Sequence, residues 1–289
     1  MLSKISLKRV EIFQDRTFRH SQEDRLKTIQ DAIDFVNERG FIFFWPVKNV
    51  SFPSLWCATA GQRPVPSEHD DPGHITWNWK DQSLDKRIWY YGRILKKRNT
   101  IISLKTLPSF YALSPNYGSP EEDVFDQYQQ GLLSLEAREI FQTLLEKGPL
   151  DTLSLRRESH LSGSNALSPF NRAMDLLQRD LRILPTGIAE TGRWGYAFVY
   201  DLTHRYYPDL LEEARMISES SARSHLVTRY LSSVGAAKNK EISSIFGWPG
   251  EITDRTVNLL IKKEILFECS IEDHPDEIFL CVSELLAPV

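Results

Sequence analysis

The chain has 289 residues, enough for one large domain or two to three small ones. Its 41% apolar content allows a sizeable core. A net charge of -4 and a pI of about 6.0 argue against a protein coated in positive charge for indiscriminate nucleic-acid binding. No run approaches the roughly 18 apolar residues of a membrane helix, and residues 1–10 do not read as a signal peptide. Cys57, Cys269 and Cys281 are few, odd in number and widely spaced, which suits neither a disulfide framework nor a zinc site. The expectation is a cytoplasmic protein with no membrane partner and no cofactor, nucleoid-associated if it is bound to DNA.

Taken in chain order, Leu26, Ile29, Ile33 and Phe35/Val36 recur at helical spacing and predict a helix over 21–40, capped by Ser21 and ended by Gly40. The apolar run from Phe41 to Trp45, closed by Pro46, predicts a buried turn or short strand before a helix near 52–59. Residues 62–73, rich in proline and acids, read as a loop, and 75–84 return to helical spacing. Two β-rich runs, 87–95 and 100–104, flank Lys96-Lys97-Arg98-Asn99 and predict a hairpin. A loop with Pro115, Gly118 and Pro120 marks a domain boundary.

Beyond it, helices over 134–147, 151–159 and 168–181 precede strands over 182–188 and 194–200. The order returns with helices over 218–234, 239–246 and 250–263 and strands over 265–271 and 277–282. Three helices and a hairpin are the order of a winged helix, and internal repetition is a stronger signal than any single element. The fold class expected is therefore α+β and helix-rich, with tandem winged-helix (helix-turn-helix) units and β-hairpin wings. The units are placed at 1–118, 119–210 and 211–289.

At the level of motifs, the runs Phe43-Phe-Trp-Pro-Val-Lys-Asn-Val-Ser-Phe-Pro-Ser-Leu-Trp56, Glu68-His-Asp-Asp-Pro-Gly-His-Ile-Thr-Trp77, Trp89-Tyr-Tyr-Gly-Arg93 and Tyr111-Ala-Leu-Ser-Pro-Asn-Tyr117 resemble the AlkZ-related winged-helix proteins. Gly148-Pro-Leu-Asp-Thr-Leu resembles their second unit. These proteins are relatives of bacterial DNA glycosylases that remove alkylated purines and unhook interstrand crosslinks. The resemblance implies tandem winged helices and DNA binding. The glycosylases carry Gln-x-Gln or Gln-x-Asp just before a proline, and in that register the two positions fall on Phe43 and Trp45, before Pro46. Neither side chain can activate water.

Other residues offer chemistry. Base excision needs a carboxylate or amide to position water and to stabilise charge on the sugar, and Asp70 or Asp71 in the 68–74 loop could serve. The same loop could instead hold a metal through His69, Asp70 and His74, or simply cap the next helix with Asp70 or Asp71. Phe43, Trp45, Trp77 and Trp79 are candidates for stacking on a base or lining its pocket, with core packing as the alternative. Phe43 and Trp45 would then plug an abandoned site. Arg93, Lys96, Lys97 and Arg98 suit phosphate contact, unless they only protect a hairpin edge. Arg172 and Arg179 of the second unit's third helix and Arg193 of its wing are weaker DNA-binding candidates.

Two functions follow: a DNA glycosylase with a non-standard active site, or a non-catalytic DNA-binding protein or transcription regulator. A scaffold that has lost DNA binding is a third. The expected partner is double-stranded DNA, carrying a lesion in the enzyme reading.

Overall fold

The computed structural model describes residues 2–68, 70–116, 118–192 and 195–287. The chain starts with β1 (Ser3–Ile5) and α1 (Leu7–Thr17), capped by Ser6, neither of which was expected. Helix α2 (Ile29–Arg39) starts later than predicted. Its cap is Thr28, which exchanges hydrogen bonds with Asp31 in a reciprocal box, while Gly40 ends it as expected. The apolar run after Gly40 is β2 (Phe41–Phe43), fully buried. Then come α3 (Leu55–Ala60), capped by Ser54, and α4 (Ile75–Asp81). The predicted hairpin is β3 (Trp89–Arg93) and β4 (Asn99–Ser103), followed by α5 (Leu107–Tyr111).

The second unit contains α6 (Pro120–Gln129), α7 (Leu135–Lys147), β5 (Leu150–Asp151), α8 (Thr152–Glu158), α9 (Leu167–Arg179), β6 (Ile183–Ala189) and β7 (Ala197–Leu202). Ser134 caps α7 and Asp151 caps α8, each through backbone N–H groups two or three residues on. Two short helices, α10 (Thr203–Tyr206) and α11 (Leu210–Arg215), lead to the third unit. That unit comprises α12 (Glu219–Val234), β8 (Ala236–Ala237), α13 (Asn239–Phe246), α14 (Gly250–Lys262), β9 (Phe267–Ile271) and β10 (His274–Cys281).

The order helix, short strand, helix, helix, strand, strand thus occurs three times. Each time the short strand pairs antiparallel with the last one: β2 with β4, β5 with β7, and β8 with β10. This order is compatible with the expected winged-helix units; β2 falls in the run read as a buried turn or short strand, and β5 and β8 are additions to the prediction. The third sheet carries one strand more, because β1 pairs in parallel with β9, Ser3 opposite Cys269. Helix α1 packs on α12, where Gly235 takes φ 79° and passes so close to Phe13 that a Cβ would lie 2.8 Å from its ring.

One apolar cluster joins all three units. Phe41, Phe43 and Tyr90 of the first, Leu181 and Leu184 of the second, and Leu226, Tyr230 and Leu231 of the third share it. The units therefore do not hang on linkers, because burying apolar area between them fixes their relative placement. No helix among the described residues is long and apolar enough to cross a membrane.

Candidate nucleic-acid interface

The β3–β4 hairpin ends in a tight turn in which the Arg98 N–H donates to the Leu95 carbonyl at 2.8 Å. Its two central residues have positive φ, 50° at Lys96 and 57° at Lys97. That is the requirement of a type I′ turn, which normally selects Asn-Gly because side chains crowd the left-handed backbone. Here two lysines occupy it.

The tip does not project freely into solvent, as a wing would; it is packed against α9 and α13. Arg93 pairs with Asp175 of α9 at 2.6 Å, and Lys96 Nζ donates to Ser244 Oγ of α13 at 2.8 Å. Three clefts, of about 630, 400 and 340 Å³, open around it. Lys97 lines the first two and Lys96 the first and third. The cations facing the three clefts are Lys48, Arg93, Lys96, Lys97, Arg98, Arg179 and Lys240, against two carboxylates, Asp180 and Glu241. Asp180 is itself paired with Arg179 at 2.9 Å. A protein of net charge -4 thus gathers cations around one hairpin tip, where clefts focus their field.

Trp45 borders the 400 Å³ cleft and begins an aromatic group. Its ring centroid lies 5.2 Å from Trp56, 6.2 Å from His74 and 6.2 Å from Trp77. Trp45 is half-buried and Trp77 is 37% exposed, so both offer some ring surface. Phe43 and Trp79 do not. Phe43 is wholly enclosed on β2 against Phe52, and Trp79 is 5% exposed on the inner face of α4. For these two the stacking expectation is corrected to core packing, because no face of either ring is open to a base. At the first motif position the plug is the arrangement found, and at the second it is not.

Asp70 is exposed on the loop before α4. Asp71 is held on all sides. Arg63 grips both carboxylate oxygens, at 2.5 and 2.8 Å, and the Gly73 N–H donates to one of them at 2.7 Å. The Arg63 hydrogen bonds, aided by the Gly73 N–H, pull its pKa down to about 2. With both oxygens engaged by Arg63 and the Gly73 N–H, Asp71 is arranged as the cap of the turn that follows it. A side chain at Gly73 would run into the Trp56 ring at 2.7 Å, so the turn that Asp71 caps is pressed onto the aromatic group. No group of three or more His, Cys, Asp or Glu suited to a metal occurs among the described residues. His69, needed for the metal alternative, lies outside them, as does Arg193.

Arg172 is exposed on α9, bonded to Ser168 Oγ at 2.7 Å, and lines none of the three clefts. Arg179, about two turns further along the helix, does line one.

Lys80 escaped the sequence reading. It is 4% exposed, its ammonium bonded to Tyr196 Oη at 2.7 Å and to Asp81 at 2.7 Å. The rings of Phe44, Trp77, Tyr91, Tyr196 and Phe198 surround it at 4.7 to 5.9 Å. Burial lowers its pKa, with Asp81 opposing. Tyr196 and Phe198 belong to the second unit's hairpin, so Lys80 ties α4 to that wing. The one available signal was its place three residues after Trp77, on the same helical face.

A model of the family described as AlkZ related matches residues 26–247. No curated protein matches the chain. Among solved structures, the Streptomyces sahachiroi DNA glycosylase AlkZ aligns over 99% of this chain and 73% of its own, with a TM-score of 0.60 and 13% sequence identity. The two share a fold.

Proposed function

The chain belongs to the AlkZ-related family, and on that premise we propose that it binds double-stranded DNA through the surface around the Lys96–Lys97 turn. The observation that carries this is the imbalance of charge in the three clefts around that turn of an acidic protein, seven cations, of which Arg93 is paired with Asp175, to two carboxylates. Phosphate contacts supply most of the affinity and make it salt-dependent. Trp45 and Trp77, whose rings remain partly open, are the groups placed to meet a base.

A second reading, a DNA glycosylase, is favoured by the aromatic group beside the basic cleft, which suits an extruded base. Its water-positioning group would be Asp70, since Asp71 is tied to Arg63 and Phe43 fills the first motif position. Fluorescence anisotropy with an intact duplex and a matched duplex carrying a stable abasic-site analogue separates the two. A preference of about tenfold for the analogue, roughly 1.4 kcal/mol, supports lesion recognition. In that case Asp70→Asn should abolish base release while leaving binding intact. Equal, salt-sensitive binding supports the non-catalytic reading, and no binding at low salt sinks both.

A further inference from the structure

We infer that the groove crossing Lys97 holds an unpaired strand of nucleic acid, so that the protein prefers a junction of paired and unpaired DNA over plain duplex. The inference rests on the DNA-binding reading above and adds the form of the substrate.

Three observations carry it. First, the 400 and 630 Å³ clefts meet at Lys97, which lines both. Their volumes are in the range of pockets that enclose single small molecules. Each suits a nucleotide or two, and neither admits a duplex.

Second, each cleft has aromatic residues in its lining. Trp45 borders one. Phe246 and Trp248 border the other, their rings stacked at 4.4 Å and 15°, with the Arg223 guanidinium 5.3 Å from the centre of the Trp248 ring. Both residues are partly exposed. Aromatic faces with cations between them are the means by which single strands are held without sequence preference, because every base has a face to stack. Lys97, Arg98 and Arg179 supply cations to the same linings.

Third, the turn between the clefts is built against its own backbone. Lysines occupy two consecutive left-handed positions, where a side chain crowds the backbone and glycine or asparagine would not. Strain of this kind persists at sites where the side chains are needed. The left-handed turn directs Lys96 to Ser244 and places Lys97 where the clefts meet.

The test compares three probes by anisotropy at one salt concentration: a duplex, the same duplex ending in two unpaired arms, and one of its strands alone. The forked probe should bind about tenfold more tightly than the duplex, the scale of one lost or gained base stack. Trp248→Ala should remove that preference, whereas Trp248→Tyr, which retains a ring, should keep it. Lys97→Gly relaxes the turn. It should raise the thermal midpoint while lowering forked-probe binding about fivefold or more. The Lys97→Gly result guards against misfolding as an explanation, since a better-folded protein would bind worse. Equal binding of fork and duplex by the unaltered protein overturns the inference and leaves the DNA-binding reading standing. So does a fork preference that survives Trp248→Ala. Failure to bind any of the probes overturns both.

Discussion

The first and third units have the same strand order, yet their hairpins carry opposite charge. The β3–β4 turn presents Lys96, Lys97 and Arg98 and is packed between α9 and α13. The β9–β10 hairpin presents Glu272, Asp273, Asp276 and Glu277, and every residue from Glu272 to Ile278 is exposed. Glu277 pairs with Lys238, the cation that balances this edge. Topology therefore does not say which wing meets DNA. A phosphate backbone is attracted to one and repelled by the other, and the repelled one accounts for part of the net negative charge. The hairpin whose tip packs against α9 and α13, with Lys96, Lys97 and Arg98 themselves exposed, carries the positive charge, and the more wing-like hairpin does not.

Charge reversal gives the largest expected effect. Lys97→Glu with Arg98→Glu should weaken duplex binding by on the order of a hundredfold at low salt and flatten the dependence on salt concentration. A loss of less than about threefold would break the comparison. The next effect concerns stability. Lys80→Met removes the ammonium bonded to Asp81 and Tyr196, but the Tyr196 hydroxyl still donates to Asp81 at 2.9 Å and the Asp81 side chain is 26% exposed. A loss of about 2 kcal/mol in urea unfolding is expected, less than for a fully enclosed pair. No loss at all would mean that the rings and the Tyr196–Asp81 hydrogen bond hold this hairpin to α4 without the ammonium.

Smaller still, Asp273→Lys with Asp276→Lys should change duplex affinity by less than about threefold, because exposed charges remote from the bound strand are screened. A large gain would place the third wing on the DNA after all. The smallest effect is a pH dependence. Arg63 depresses the Asp71 pKa from its ordinary 3.8 to about 2, so their pairing stabilises the fold above the ordinary value and is lost as pH falls through the depressed one. The thermal midpoints of the unaltered protein and Asp71→Asn should differ near neutrality and converge as pH drops from about 4 to about 2. A gap that stays constant over that range would mean that the carboxylate's charge contributes nothing.

Much of the fold is legible in local sequence because caps and apolar spacing are local. Ser134 and Gly148 bracket α7, Ser218 and Gly235 bracket α12, and α13 spans the residues its pattern predicts. Ser21 misleads for an equally local reason: Thr28 with Asp31 forms the better cap seven residues on. What the pattern hides is long-range. Strand β1 pairs with a partner some 266 residues away, and three residues carry no period. Helices α5, α10 and α11 have four to six residues, too few to show one. At the candidate interface, the basic run 93–98 could be read directly, but its enclosure by α9 and α13 could not. Nor could the pairing of Asp71 with Arg63, across a loop with no fixed spacing, or the burial of Lys80 beneath a hairpin more than a hundred residues later.

The pairing of β1 with β9 also bears on how the protein is made. Synthesis runs from the N-terminus at about 5 to 20 residues per second, so Ser3–Ile5 emerges roughly 15 to 50 seconds before its partner strand. Over that interval α1 has neither α12 nor the third sheet to cover Val10 and Phe13, residues buried in the finished fold. The first elements of this fold to be synthesised are thus among the last to be sheltered.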